Sequence, residues 1–496
     1  MFHTAVNRFR QPRCIHPRLK GLTAAILLGL ATSVPAHAED NTLPSLGGVG
    51  GGLISEQKEA AIGEQVLRSL RRSTRQIGDP ITLDYLSSIV YRLVPYAPLQ
   101  NRDLRMVVID SPAINAFAVP GGVIGVNGGL FLNARTEQQF AAVMAHELAH
   151  LAQRHYARQL EQQENMTPLT IAGMLAGIIL SAATQSDVGI ATVAGTQAMA
   201  VQNMLQYSRS NEQEADRVGL DIMEDAGLDP HGMPEMFEIM MRQSRIQGNA
   251  IPEYLSTHPL TRSRISDSRN RANQFPDRNY QDSLEYHLVR ARLLVHYAQS
   301  PEKAVEIFQT YRDGSSELPD AAVQYGLAVA YLGAGDTKQA ETILRTLLEE
   351  HPGRITFQVT LADTMMRAGK LDDAITLLQD ARQRNPGNYP ILYQLAAVQY
   401  QADHAAEAAE IYRELTKQYP DNAGLWQKLS DAEGQARNII GVHRARAEFY
   451  LLMGDREAAV RQLREAREKA SPGTPTHEII SQRLAQISRN RDESPL

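Results

Sequence analysis

The segment at residues 146–150 has the residue types and spacing of a metal-dependent hydrolytic site. In His146-Glu147-Leu148-Ala149-His150 the two histidines lie four positions apart. Four residues turn an α-helix by about 400°, so both imidazoles project from one face and can bind one ion. Zinc accepts such nitrogen ligands, and the intervening Glu147 can act as general base toward a water molecule. The pattern predicts one catalytic Zn²⁺ per chain.

A third protein ligand is required, because catalytic zinc sites usually combine three protein ligands with one open position. His155 is close in sequence, but it lies five residues after His150. A metzincin would have its third histidine one position later, where this chain has Tyr156. We therefore interpret His155 as a surface histidine or one that supports a ligand from behind.

Two carboxylates downstream are better candidates for the third ligand. Glu212 and Asp216 are four residues apart in a predicted amphipathic helix. One carboxylate can bind the metal while the other accepts the free N–H of a ligating imidazole, which fixes the orientation of that ring. Glu214 points to another side of the helix and is predicted to be solvated. The spacing leaves open which carboxylate has which role.

Regular elements must position these residues. The clearest is a helix predicted over 137–162, where Thr136 and Gln139 form a capping box. A second helix is expected over 81–93 and a buried strand over 104–109. Residues 116–126 predict two short strands joined by a Pro-Gly-Gly turn. This hairpin has two interpretations: an ordinary core hairpin, or a strand edge to which an extended polypeptide pairs.

The N-terminus predicts a secretory signal peptide over residues 1–38. Five basic residues and no acids precede an apolar run, Leu22 to Val34, and an Ala36-His37-Ala38 cleavage site. An uncleaved anchor is the alternative, but the run is short for a membrane span. Residues 39–54 are glycine-rich and predict a flexible leader. The only cysteine, Cys14, lies in the signal, so the mature chain has no disulfide, which suits a bacterial periplasm.

The charge balance argues against one class of partner. Cleavage removes five of 50 basic residues and leaves 45 against 56 acidic residues, a formal charge of −11. Nothing in this balance supplies a basic surface for phosphate, so no nucleic acid is expected as a partner.

Residues 166–207 are almost uncharged and rich in small side chains. A transmembrane hairpin is conceivable, but the strongest apolar run, Leu169 to Ala183, is shorter than a bilayer requires. We favour a helical hairpin that is buried or makes a peripheral contact with a membrane.

The C-terminal half repeats with a fixed period. Pro352, Pro386 and Pro420 are 34 residues apart, and an alanine stands 12 residues before each of them. This is the period of tetratricopeptide (TPR) repeats, which are pairs of helices stacked into a solenoid. Residues 287–319 and 443–472 are interpreted as imperfect outer copies. Nothing resembles a coiled-coil seam, so a monomer is expected.

Four separated blocks resemble the HtpX-like gluzincin metallopeptidases, over about residues 55–275. The blocks are Asn115-Ala-Phe-Ala-Val-Pro-Gly-Gly122, the His-Glu-Leu-Ala-His segment, Ser208-Arg209 with Glu212 and Ala215-Asp216, and His258-Pro259 followed by Arg264-Ile265. The resemblance implies an α+β protein: a mostly helical zincin-type metalloprotease domain with a small sheet, here followed by an all-α TPR solenoid over 280–472 and a tail helix over 473–496.

The resemblance also implies roles for individual residues. It implies zinc bound by His146, His150 and Glu212, with Glu147 as general base and Asp216 as a supporting acid or proton donor. His258 is a candidate to stabilise the oxyanion or to block the metal, and it is also compatible with a plain loop histidine; Arg264 is a candidate for an oxyanion or regulatory role.

The role implied for the whole chain is a periplasmic one. Proteins of this kind promote the assembly of outer-membrane β-barrel proteins and degrade those that misfold or stall. The expected partners are unfolded or misassembled outer-membrane proteins and the outer-membrane β-barrel assembly machinery. A non-proteolytic chaperone or adaptor with a normally silent zinc site is the alternative.

Overall fold

Two capped helices open the part of the chain that the structure describes. In this computed structural model the described residues are 55–161, 168–184, 208–246, 254–314 and 316–492. Helix α1 (Glu56–Ser73) is capped by Ser55, and α2 (Pro80–Leu93) is capped by Asp79, whose carboxylate accepts the Thr82 N–H. A 3₁₀ turn, Val94–Tyr96, extends α2. The predicted signal peptide and glycine-rich leader lie outside the described residues.

A small three-stranded sheet follows. Its strands are β1 (Arg105–Ile109), β2 (Ala116–Val119) and β3 (Val123–Asn127), in the order β1-β3-β2. β1 is parallel to β3, whereas β2 is antiparallel to it. The β2–β3 turn uses Gly121 and Gly122, both at positive φ, a conformation that glycine adopts without a steric penalty. The predicted hairpin is thus present, with β2 at the edge of the sheet.

The helix predicted over 137–162 is broken into two. After a short helix α3 (Gly128–Asn133), α4 runs from Glu137 to Ala152 and α5 from His155 to Glu161. Arg154 between them has a φ of 49°, and its guanidinium pairs with Glu59 of α1. One of the two hydrogen bonds of the predicted capping box is present. Thr136 accepts the Gln139 N–H, but the Gln139 side chain accepts from Arg135 instead of closing the box.

Five further helices lie in the described residues of the N-terminal half. They are α6 (Pro168–Thr184), α7 (Arg209–Asp225), α8 (Gly232–Ile246), α9 (Tyr254–Thr257) and α10 (Arg262–Ala272). α6 packs on α1 through Ile171, Leu175 and Ile179. The second half of the predicted hairpin over 166–207 lies outside the described residues. Within the described ranges, no helix is both long and apolar enough to cross a membrane.

The C-terminal half is a stack of six helix pairs. The helices, α11 to α22 in order, are Leu284–His296, Pro301–Asp313, Asp320–Gly333, Thr337–Glu350, Ile355–Arg367, Leu371–Arg384, Tyr389–Gln401, Ala405–Gln418, Ala423–Gln435, Ile439–Leu452, Arg456–Lys469 and Pro475–Asp492. The 34-residue period fits this stack: α14, α16 and α18 each end two residues before a periodic proline. The predicted fold class is confirmed, whereas the domain boundaries stay predictions.

The ends of the stack differ from the sequence interpretation. Residues 443–472 contain most of α20, the second helix of one pair, and all of α21, the first helix of the next, so they do not form one repeat. The last pair is α21 with α22, where Ile480 and Ile487 are buried against Leu463 and Ala466. The tail helix predicted over 473–496 is therefore part of the solenoid.

The two halves share one core, and the described residues belong to a single compact unit. Tyr286 of α11 packs among Tyr85, Phe131 and Phe140 and donates a hydrogen bond to the Ala134 carbonyl. The repeats are therefore fixed against the N-terminal half.

A second contact between the halves is a charged one. Arg292 of α11 pairs with Asp79, the residue that caps α2, and donates hydrogen bonds to Tyr325 and Thr360 of the next two repeats. Further along the stack, Arg71 of α1 donates to the carbonyl of Leu452. The N-terminal half thus contacts the solenoid at both its early and its late repeats.

Candidate metal centre

Helix α4 places the two histidines of the motif together in the protein interior. His146 and His150 lie one turn apart with their Nε2 atoms separated by 3.0 Å. Both side chains are 1% exposed. The helix is buried along nearly its whole length, so its orientation is fixed by packing, and the two imidazoles converge on one point.

Helix α7 brings Glu212 to the same point. The Glu212 oxygens lie 3.3 Å from His150 Nε2 and 3.6 Å from His146 Nε2. The close approach of α7 to α4 depends on Gly219, because a Cβ there would lie 3.3 Å from the His146 backbone nitrogen and 3.0 Å from Met233. The predicted helix pair is therefore present, and Glu212 is the carboxylate of that pair that approaches the Nε2 atoms of both histidines.

The donor set fits a divalent metal ion. One ligand atom each from His146, His150, Glu212 and His258 lie within 4.8 Å of one another, and all four residues are buried. A tetrahedral zinc with bonds of 2.0–2.1 Å would hold its ligand atoms about 3.3 Å apart, close to the distances between these atoms. Around this point the described residues place three carboxylates, Glu147 included, against a single guanidinium, a balance that a dication would offset.

Asp216 and Arg264 support the ligands from behind. Asp216 Oδ1 lies 3.1 Å from His146 Nδ1, as expected for a carboxylate that orients a ligating imidazole. Arg264 of α10 donates to both Asp216 oxygens at 2.7 Å. Its remaining nitrogen lies 2.8 Å from the Pro259 carbonyl and 2.5 Å from Glu212. Every guanidinium nitrogen of Arg264 is thus engaged within the site, by Asp216, Glu212 or the Pro259 carbonyl.

The buried charges shift the pKa values in opposite directions. Burial lowers the pKa of His146, but its hydrogen bonds to Asp216 and Glu212 outweigh burial and raise that pKa to about 9. Burial dominates at His150 and holds its pKa well below the usual value. Burial raises the pKa of Glu212, but the nearby histidines, His258 first, bring that pKa well below its ordinary value. The Glu212 carboxylate is thus kept ionised, as a metal ligand must be.

Glu147 is held by two donors from different elements. Its Oε2 accepts the backbone N–H of Ala118 at 3.1 Å, and its Oε1 accepts the Tyr254 hydroxyl, also at 3.1 Å. Ala118 lies on β2, so the edge of the sheet touches this carboxylate directly. Burial raises the pKa of Glu147, which suits a proton acceptor.

His258 lies inside the group of ligand atoms. Its Nδ1 is 3.1 Å from Glu212, and its Nε2 is 3.5 Å from Glu147. Of the alternatives considered from the sequence, a plain loop histidine does not fit this position. Tyr254, which the sequence interpretation missed, stacks on His258 with ring centroids 4.5 Å apart. Its spacing of four residues before His258 is the only signal in the sequence, and nothing there marks it as functional.

His155 supports His150, one of the two alternatives expected for it. Its Nδ1 lies 2.9 Å from His150 Nδ1, and its Nε2 lies 3.1 Å from Glu214. Glu214 is partly solvated, as predicted, with its side chain 41% exposed, but it also pairs with His155. The break between α4 and α5 turns His155 toward the interior. The continuous helix predicted from the sequence over 137–162 did not indicate this orientation.

Comparison with known proteins identifies the class. Residues 80–272 match the model of peptidase family M48, and residues 297–362 and 365–432 match tetratricopeptide repeats. The chain belongs to peptidase family M48 and is a metalloendopeptidase with TPR repeats. It is 36% identical over 333 residues to the beta-barrel assembly-enhancing protease of Escherichia coli, covering 67% of this chain and 68% of the relative.

Two further relatives extend the comparison. The beta-barrel assembly-enhancing protease of Yersinia pestis is 35% identical over 343 residues, which is 69% of this chain and 70% of the relative. The mitochondrial metalloendopeptidase OMA1 of Schizosaccharomyces pombe is 31% identical over 189 residues, which is 38% of this chain and 51% of the relative. Similarity to the two beta-barrel assembly-enhancing proteases thus extends over about two thirds of the chain, and similarity to OMA1 over about two fifths.

Proposed function

We propose that this chain is a zinc-dependent endopeptidase of the periplasm that cuts misfolded or stalled outer-membrane β-barrel proteins and promotes the assembly of productive ones. The observation that carries the proposal is the buried group of His146, His150 and Glu212 with Glu147 beside it. The names of the bacterial relatives support the substrate class. The predicted signal peptide supports the location.

The roles of the residues follow from their contacts. His146, His150 and Glu212 would hold the ion, and Asp216 and Arg264 keep His146 and Glu212 in place. Zinc, when bound, would polarise the scissile carbonyl and acidify a water molecule. Glu147 takes the proton of the attacking water on a carboxylate oxygen and passes it to the leaving nitrogen.

The edge of the sheet is the proposed place for the substrate backbone. β2 pairs with β3 on one side only, and the Ala118 N–H points to the other side, toward Glu147. An extended polypeptide that pairs with this edge would lie across the metal centre, whatever its side chains. A survey of cleavage sites tests this. Scattered sequences at the scissile bond are expected, and a strict side-chain consensus would contradict edge pairing.

The solenoid is proposed to hold partners. A cavity of about 730 Å³ lies between α2 and the first repeats, with Asp84, Glu285 and Glu350 on its walls. Such a cleft between the protease and the repeats can hold part of an unfolded polypeptide or of the assembly machinery. The monomer and the peripheral membrane contact of residues 166–207 stay predictions.

The position of His258 favours a second possibility, a zinc site that is silent at rest. Since His258 lies among the ligand atoms, it would occupy the position that water needs. His258→Ala should then raise the rate of cleavage. A loss of cleavage would instead assign His258 to the oxyanion, and an unchanged rate would dismiss both roles.

The decisive experiment is Glu147→Gln. This variant should keep zinc and partner binding but lose cleavage of an unfolded outer-membrane protein, because an amide cannot accept the proton. Glu224→Gln is the matched control, since Glu224 lies at the far end of α7 and pairs with Arg278. It should cleave at the rate of the unmodified chain. Persistent cleavage by Glu147→Gln would refute the mechanism.

A further inference from the structure

Tyr254 is a buried tyrosine whose hydroxyl contacts the carboxylate at the centre of the site. Its side chain is 1% exposed, and its hydroxyl lies 3.1 Å from Glu147 Oε1. Its ring stacks on His258 and lies 6.4 Å from the ring of His146. Neither the motif at 146–150 nor the carboxylate pair on α7 assigns it a role.

The hydrogen bonds on Glu147 restrict the orientation of its carboxylate. A glutamate side chain has three rotatable bonds, so attachment to α4 alone does not fix the plane of the carboxylate. Ala118 holds Oε2 from the sheet, and Tyr254 holds Oε1 from α9. A carboxylate oxygen can accept two hydrogen bonds, so Oε2 keeps an acceptor position for a proton beside Ala118, whereas His258 Nε2 lies 3.5 Å from Oε1. The two contacts fix the group without saturating it.

We propose that Tyr254 is the positioning residue of Glu147: its hydroxyl fixes the carboxylate that serves as general base. This inference rests on the proposed role of Glu147. General-base catalysis depends on geometry to within a fraction of an ångström, so loss of one of the two contacts slows the chemical step more than it weakens substrate binding.

Packing alone does not account for a tyrosine at this position. Phenylalanine would fill the same space and stack on His258 without burying a hydroxyl. A buried hydroxyl is costly unless it has a partner, and in the described structure the Tyr254 hydroxyl donates its hydrogen bond to Glu147. The hydroxyl therefore serves the carboxylate.

Tyr254→Phe tests the proposal, with Tyr286→Phe as the matched control. Tyr286 is also fully buried, and its hydroxyl donates one hydrogen bond, but to the Ala134 carbonyl away from the site. Zinc-loaded full-length variants are compared for kcat and KM on an unfolded outer-membrane protein, for bound zinc and for Tm. Tyr254→Phe should lower kcat about tenfold with KM and zinc content unchanged, whereas Tyr286→Phe should keep kcat.

Binding of a peptidyl hydroxamate gives a readout that does not need turnover. A hydroxamate binds zinc and hydrogen-bonds to the general base, so Tyr254→Phe should weaken its binding several-fold and Tyr286→Phe should not. If the unmodified chain cuts no protein, the proposed function fails while hydroxamate binding still decides the role of Tyr254.

Two results would overturn the inference. One is wild-type kcat and hydroxamate affinity in Tyr254→Phe together with losses in Tyr254→Leu, which would mean that only the ring matters. The other is a raised kcat in Tyr254→Phe, which would mean that the hydroxyl restrains the base.

Discussion

The metal centre is a buried cluster of charge, and the joint between α2 and the repeats, formed by Asp79 and Arg292, is a partly buried one. The two clusters are balanced differently. At the joint, Asp79 pairs with Arg292, so one acid meets one base. At the metal centre, Glu147, Glu212 and Asp216 surround one guanidinium, that of Arg264, and three histidines. Because buried charge is costly unless it is compensated, an unbalanced acidic cluster is suited to bind a cation, whereas a balanced one needs no ligand. The predictions below test this difference.

The largest effect is expected at the metal ligands. His150→Ala should lose bound zinc and all measurable proteolysis, since one of three protein ligands is gone. His155→Ala is the matched change, because His155 only supports His150 from behind. It should weaken zinc binding about 10- to 100-fold. Zinc content after dialysis measures the loss of zinc from His150→Ala, and competition with a chelator measures the zinc affinity of His155→Ala. Full zinc occupancy in His150→Ala would contradict the assigned ligand set.

The support behind the ligands should matter less than the ligands themselves. Arg264→Lys loses the fork that holds both Asp216 oxygens, and zinc affinity should fall about 10- to 100-fold. Arg271→Lys on the same helix changes a surface pair with Asp221 and should leave zinc affinity unchanged. If the two variants bind zinc equally well, Arg264 is not a positioning residue.

At the joint, stability should change while zinc binding does not. Arg292→Met should lower the free energy of unfolding by about 2–4 kcal/mol, because Asp79 is left in a largely buried place without its partner. The double variant with Asp79→Leu should recover part of that loss, although it also removes the α2 cap. Denaturant unfolding with zinc analysis measures both effects. Loss of zinc from Arg292→Met would show that the joint and the metal centre are one cluster.

The same pair predicts a pH dependence. Burial raises the pKa of Asp79, but the charge of Arg292 and hydrogen bonds from Arg292 and Thr82 outweigh it, so the pKa is lowered. A lowered pKa gives stability that is present above the unfolded value, about 3.9, and is lost as the pH falls through the folded value. Asp79→Asn should therefore reduce the loss of stability below about pH 4. If the stability of Asp79→Asn fell with pH in the same way as that of the unmodified chain, the pairing of Asp79 with Arg292 would be contradicted.

The smallest effect is expected in the solenoid. Gly335, Gly369, Asp403 and Arg437 are spaced by 34 residues, and all have positive φ. Glycine adopts this conformation at little cost, so Arg437→Gly should raise the free energy of unfolding by about 0.5–1 kcal/mol. Gly369→Ala should lower it by about 1 kcal/mol. Denaturant unfolding should show both shifts with the metal centre unchanged.

Local patterns in the sequence were enough to predict the features that depend on short separations along the chain. The spacing of His146 and His150, the spacing of Glu212 and Asp216 and the 34-residue period each reflect the geometry of a single helix or helix pair. The class and the position of most elements followed from them. The break after α4 did not, because it depends on Arg154 reaching Glu59 on another helix.

The tertiary structure alone decided which distant residues complete the site. Tyr254 is 107 positions from Glu147, and Arg264 is 48 positions from Asp216. Contacts over such separations leave no period in the sequence, since each depends on how several helices pack. The sequence by itself determined the chemistry and the repeat architecture of this protein. Only the packing of β2, α7, α9 and α10 around α4 decided how Glu147 and the candidate ligands are held, and where His258 lies among them.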